Sequence, residues 1–313
     1  MVRARGGTVA AVWISGGTGL LGARLAPALG ERGLTPRLLT RRPERLAERD
    51  DREVAGWDGK NVPPATLAGT AAAIHLSGEP LFGGVPTAAR RARIRESRVA
   101  STRSLVDALG ELPSSQRPAV LLCASATGYY GDRGEEELDE EALPGAGFLA
   151  DLCRDWEAEA ARAEEHGVRC VSLRIGVVLA REGGALALMA PIFRLGLGGR
   201  LGSGRQWFSW IHAEDLTALT LACLDAAELR GPINAVAPGA VRNAELTAAL
   251  GRVLRRPAVL PVPSFALRAA LGEIAGELLG SRRVDPVRAR ELGLRWRRPE
   301  LEGALRAELK PGG

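Results

Sequence analysis

The stretch Thr8-Val9-Ala10-Ala11-Val12-Trp13-Ile14-Ser15-Gly16-Gly17-Thr18-Gly19-Leu20-Leu21-Gly22 decides the reading of the fold. Its first half is apolar, holds β-branched residues and ends on glycines, the pattern of a buried parallel strand. Leu20 to Arg32 then follows with helical periodicity and stops at Gly33, a residue suited to a helix C-terminus. Between them, Gly17, Gly19 and Gly22 satisfy GxGxxG, and Gly16, Gly19 and Gly22 satisfy GxxGxxG. Glycines at this spacing let backbone approach a pyrophosphate, whose charge the following helix N-terminus favours. Strand, loop and helix in this order make Gly16, Gly17, Thr18, Gly19, Leu20, Leu21 and Gly22 a candidate dinucleotide loop.

Reading outward, strands are expected at Pro36–Thr40, Glu53–Trp57, Ala71–Leu76, Ala119–Ala124, Val168–Arg174 and Gly231–Val236. Helices are expected at Ala88–Leu109, Phe148–Glu165 and Ala185–Phe193, with another from Asp215 as its N-cap to about Ala227. Strands alternating with helices in this way define an α/β fold, a Rossmann-type doubly wound parallel sheet. The last 70 or so residues alternate helices with Pro-rich joints. The expected organisation is a Rossmann domain over residues 1–180, completed by about 210–237. Residues 181–209 and 238–313 are expected to form a smaller, mostly helical C-terminal lobe.

The end of the second strand bears on which dinucleotide is bound. A site for NAD places Asp or Glu there for the ribose 2′-hydroxyl. This chain has Thr40-Arg41-Arg42 instead, two guanidinium groups suited to a 2′-phosphate. NADP(H) is therefore the expected cofactor, with Thr40, Arg41 and Arg42 at its phosphate.

Composition narrows the remaining classes. With 46% hydrophobic and 25% charged residues the chain can bury a full core without disulfides. Its four cysteines form no CxxC pair and read as buried thiols, which suits a reducing, cytoplasmic compartment. The net charge of +5 is concentrated beyond Gly251, where basic residues alternate with acidic and apolar ones at helical periods and lack an aromatic platform. Neither nucleic acid nor membrane is an expected partner, a small-molecule substrate of unknown identity is, and a homodimer is left open. His75, His166 and His212 show no metal spacing, so no metal is expected. The acidic run from Glu135 to Glu141 reads as a solvated loop.

Several motifs together resemble the extended and atypical short-chain dehydrogenase/reductases of the NAD-dependent epimerase/dehydratase superfamily. They are the glycine loop, His75-Leu76-Ser77-Gly78-Glu79, Ser97-Arg98-Val99, Ser125-Ala126-Thr127-Gly128-Tyr129-Tyr130-Gly131-Asp132, Arg174-Ile175-Gly176-Val177-Val178-Leu179, Gly198-Gly199-Arg200-Leu201-Gly202-Ser203-Gly204 and Trp210-Ile211-His212-Ala213-Glu214-Asp215. The match is to the epimerase-like subfamily that ends in a small helical domain of its own. The resemblance implies that Leu76, Ser77, Gly78 and Glu79 pass beside the cofactor, with Arg98 on the next helix and Val178 near the nicotinamide. It also implies a Tyr-x-x-x-Lys dyad, which is missing: Leu149 and Cys153 stand at those positions, and the chain's lysines are Lys60 and Lys310. Ser125 and Tyr130 are what the resemblance leaves as catalytic candidates. The expected function is thus an NADP(H)-binding oxidoreductase or epimerase-like enzyme lacking the dyad, with a non-catalytic NADP(H)-binding sensor or scaffold as the alternative.

Overall fold

The computed structural model describes residues 10–41, 43–44, 53–81, 84 and 87–309. Seven parallel strands form its central sheet: β1 (Ala11–Ser15), β2 (Thr35–Thr40), β3 (Glu53–Gly56), β4 (Ala72–His75), β5 (Val120–Ala126), β6 (Arg169–Ile175) and β7 (Gly231–Ala235). Their order is β7-β6-β5-β4-β1-β2-β3, and β1 is the strand that pairs with both β2 and β4. The chain reverses its direction of winding there, so Ser15 lies beside both Leu39 and His75 at the carboxyl edge. An open α/β sheet leaves its binding crevice at such a switch point.

Among the described residues the helices of eight or more residues are α1 (Leu20–Gly30), α2 (Ala88–Glu111), α3 (Phe148–Ala161), α4 (Gly184–Arg194), α5 (Ala213–Asp225), α6 (Asn243–Leu254), α7 (Ser264–Leu271) and α8 (Leu301–Leu309). Alternation along β1 divides the core between the two faces. Trp13 joins Leu39, Leu121 and Cys123 under Ile94 and Leu105 of α2 and Trp156 of α3. Val12 and Ile14 join Leu38, Leu122 and Val171 under Leu25 and Leu29 of α1 and Leu216 and Leu219 of α5. A further cluster packs Leu186 and Phe193 of α4 against Leu246 and Leu250 of α6 and Leu305 of α8.

The strand and helix positions follow the sequence pattern closely, and all four cysteines are free and buried. Two details differ. Asp215 is not the N-cap of α5: His212 is, its Nδ1 accepting the Glu214 N–H at 3.2 Å. Asp215 instead accepts the Arg297 and Arg298 N–H groups at 2.6 and 3.0 Å, tying the C-terminal stretch to the start of α5. Nor is the acidic run simply solvated. Glu140 is buried and accepts the Asn234 N–H at 2.9 Å, while Glu135 accepts from Trp207 Nε1 at 3.0 Å and pairs with Arg242 at 2.6 Å. The partners of these carboxylates are distant in sequence, and only tertiary packing supplies them.

Candidate functional site

At the switch point a cleft of about 480 Å³ opens along the carboxyl ends of β1, β2, β3 and β4. Gly16, Thr18 and Gly19 form one wall, and Thr40 and Arg41 the next. Leu76, Ser77, Gly78 and Glu79 lie across from them, with α2 contributing Arg93, Glu96 and Ser97. The local chemistry explains the glycines. Gly16 has φ +68°, and a Cβ there would lie 3.0 Å from the Leu76 carbonyl carbon. A Cβ on Gly22 would sit 2.5 Å from Gly17 Cα, and closer still to the Gly16 carbonyl oxygen. The loop therefore closes onto α1 only with hydrogen at both places.

Gly19 is the N-cap of α1 and no side chain caps that end. The first-turn N–H groups of an α-helix have no intrahelical acceptor, and the helix dipole adds partial positive charge beside them. These residues fit the pyrophosphate of a dinucleotide: donors without side-chain competitors, at a helix start, beside backbone that a Cβ would block. Among the loop residues, Thr18 and Gly19 are exposed at the cleft. Gly17 and Gly22 are buried, and Leu21 packs on the α1 face of the sheet. Leu20 is turned toward Gly183 and Gly184.

Arg41 is exposed at the cleft and has no ion-pair partner among the described residues. Arg42 lies outside the described residues. The sequence reading overlooked the turn after β3, which brings Trp57, Asp58, Gly59 and Lys60 to the same end. Asp58 accepts the Lys60 and Asn61 N–H groups at 2.7 and 3.0 Å, and these bonds hold its carboxyl below the ordinary carboxylate range. The turn leaves the Lys60 side chain exposed and lining the cleft. No motif in the sequence marks this turn; it stands beside the end of β2 because β3 is hydrogen-bonded to β2.

Other expected site residues are placed elsewhere. The Arg98 guanidinium is packed behind the 77–79 loop, against Gly78 and 5.4 Å from the Trp156 ring, and is not among the residues lining the cleft. Burial lowers its pKa. Ser97 holds that loop, accepting the Glu79 N–H at 2.9 Å. Val178 is half-buried in a short strand paired with Trp210–His212 and packs on the core. His75 is a satisfied core histidine, bonded to Ser15 Oγ at 2.6 Å and Ser101 Oγ at 3.2 Å, with burial pushing its imidazole down to about 3.

Ser125 and Tyr130 are brought together, but in a buried network instead of the cleft. Ser125 Oγ donates to Glu157 at 2.5 Å, and Glu157 pairs with Arg174 at 2.9 Å. Arg174 donates to the Tyr130 hydroxyl at 3.0 Å and lies 3.5 Å over the Tyr129 ring. The Tyr130 hydroxyl donates into a pocket formed by Asn234 Oδ1 at 2.7 Å and the Asp139 carbonyl at 2.9 Å. Its side chain is 0% exposed, and burial pushes the phenol up to about 12 against the nearby Arg174 charge. The structure thus encloses Tyr130 in the core, with its hydroxyl bonded to Asn234 and Asp139 and outside the cleft. Among the described residues no group of His, Cys, Asp and Glu could hold a metal ion.

Fold and cleft define a Rossmann-type protein with a dinucleotide loop, and the model of the NAD-dependent epimerase/dehydratase family matches residues 12–235. The chain belongs to that family. Residues 262–308 match a second model, DUF1731, a domain of unknown function. The chain is similar to the chloroplastic homologue of epimerase family protein SDR39U1 from Arabidopsis thaliana, 39% identical over 95% of this chain and 86% of that one. An epimerase family protein of Mycobacterium bovis is 38% identical over 97% of this chain and 99% of its own length. The crystal structure of human SDR39U1 (isoform 2) with NADPH superposes with a TM-score of 0.85 at 32% identity, covering 96% of this chain and 99% of that one.

Proposed function

We propose that the chain binds NADP(H) in this cleft and acts on a small-molecule substrate as an oxidoreductase or epimerase-like enzyme, without a Tyr–Lys dyad. The observation that carries the cofactor assignment is that, of the three exposed cations lining the cleft, Arg41 and Lys60 follow the neighbouring strands β2 and β3, where β2 supplies no carboxylate, while Arg93 stands on α2. A 2′-phosphate answers that charge and a bare ribose does not. The NADPH held by the human relative supports the same reading. The bound nicotinamide would supply hydride chemistry. The protein's own part is to seat the pyrophosphate on α1 and to select the phosphate with Arg41 and Lys60. The reading divides the chain into a cofactor domain, residues 1–180 with about 210–237, and a substrate lobe, residues 181–209 and 238–313.

A second reading, a non-catalytic NADP(H) sensor or scaffold, is favoured by one observation. Ser125 and Tyr130 are locked by Glu157, Arg174 and Asn234 and expose 3% and 0% of their surface. Fluorescence titration with both cofactors tests the binding claim shared by the two readings. NADPH is expected to bind about 10- to 100-fold more tightly than NADH, the scale of a charged contact worth about 1.5–3 kcal/mol; equal affinities overturn it. Turnover of bound NADPH with carbonyl and sugar-nucleotide substrates then separates enzyme from sensor.

A further inference from the structure

Eight large hydrophobic side chains stand exposed among the described residues, and all but Leu143 lie in two stretches of the second lobe. Leu188 and Ile192 of α4 and its C-cap Leu195 recur at four- and three-residue steps on the outer side of the helix, whose Leu186, Ala190 and Phe193 fill the core behind. Val259 and Phe265, each 75% exposed, belong to the second stretch, where α7 has none of its residues buried. The two stretches run side by side. The Leu260 N–H donates to the Gly198 carbonyl at 3.2 Å and the Val262 N–H to the Arg200 carbonyl at 2.9 Å, while Arg256 Nε donates to the Arg194 carbonyl at 3.0 Å. They form one surface.

Its charge has a single sign. Residues 185–204 and 251–271 contain Arg194, Arg200, Arg252, Arg255, Arg256 and Arg268 and no Asp or Glu. Among the described residues only Arg252 of these six has an acidic partner, Glu302 at 3.1 Å. Apolar side chains framed by unpaired guanidinium groups match a surface that offers hydrocarbon and anionic groups together.

We propose that this face docks the protein on an anionic lipid surface, with Leu195, Val259 and Phe265 entering the headgroup–acyl boundary and the arginines meeting lipid phosphates. A second copy fits less well. A two-fold contact would set this acid-free patch against itself, leaving arginine facing arginine. No described helix is long and apolar enough to cross a membrane, and peripheral docking requires none. The proposal departs from the expectation that membranes are not a partner, and rests on the exposure of these side chains.

The test is flotation of the full chain with phosphatidylcholine vesicles containing about one-third phosphatidylglycerol. Binding is expected, falling at least about tenfold on pure phosphatidylcholine and again when salt rises from about 0.05 to 0.5 M. Leu195→Ser, Val259→Ser and Phe265→Ser together should abolish it with the thermal midpoint unchanged, because all three side chains are exposed. Arg194→Gln, Arg255→Gln and Arg268→Gln together should remove the preference for the anionic lipid. Failure of the unaltered chain to float overturns the proposal, as does a triple serine variant that floats equally well. A dimer in light scattering that the serine variant dissolves, without vesicle binding, would assign the face to a second copy instead.

Discussion

Arg41 and Lys60 line one cleft from the ends of neighbouring strands, and on the proposed reading they give the 2′-phosphate two cations of different geometry. Arg41→Ala and Lys60→Gln are each expected to weaken NADPH by roughly tenfold and NADH by less than about twofold, measured by titration. Equal losses for both cofactors would place Lys60 on a shared part of the dinucleotide. Tyr130 makes the opposite kind of statement. Tyr130→Phe is expected to leave NADPH affinity unchanged and to cost about 1–3 kcal/mol in urea unfolding, because Asn234 Oδ1 loses its buried donor. Its phenol is raised from 10.0 to about 12, so the unfolded chain ionises first as pH climbs. That contribution to stability is intact below pH 10 and declines through about pH 12, by up to about 1.4 kcal/mol per unit, and Tyr130→Phe should flatten this alkaline loss.

At the scale of elements, the β1–α1 junction is a packing solution before it is a binding site. Gly22 lies in the first turn of α1, against the backbone of Gly16 and Gly17. Gly22→Ala must push the helix away from the loop. The expected result is a loss of about 1–3 kcal/mol in unfolding, from overpacking against backbone that cannot rotate aside. Cofactor affinity should fall as well, since the α1 N-terminus moves with the loop. A stable variant with wild-type NADPH affinity would show that the pyrophosphate is held elsewhere.

At the scale of the whole molecule, contacts between distant segments join the later lobe to the sheet. Glu135 bonds to Arg242 and Trp207, which hold its carboxyl down at about 2 from an ordinary 4.5. A depressed carboxyl contributes stability above its unfolded pKa and loses it as pH falls toward the folded one. Acid unfolding should therefore begin below about pH 4.5 and deepen toward pH 2. Glu135→Gln should make the thermal midpoint less dependent on pH across that window. The effect should be modest, since Glu135 is largely exposed and water screens the pair. An unchanged slope would place the acid sensitivity in other carboxylates.

The sequence by itself determined the alternation of strands and helices, the glycine loop with its helix start and the absence of a carboxylate after β2. It also showed that neither tyrosine is followed by a lysine four residues on. Each of these is written in adjacent residues: a period of two or 3.6, a glycine spacing, a residue type at the end of a strand. What only the tertiary structure decided is which side chains meet. Lys60 joins Arg41 because β3 is hydrogen-bonded to β2, and Tyr130 is enclosed because Asn234 arrives from the far edge strand. Asp215 and Glu140 become clamps because backbone N–H groups of Arg297 and Arg298, and of Asn234 and Arg288, are folded onto them. The exposed face of α4 and α7 could not be read from periodicity, which shows that a helix has an apolar side. Only the packed structure shows whether anything covers it.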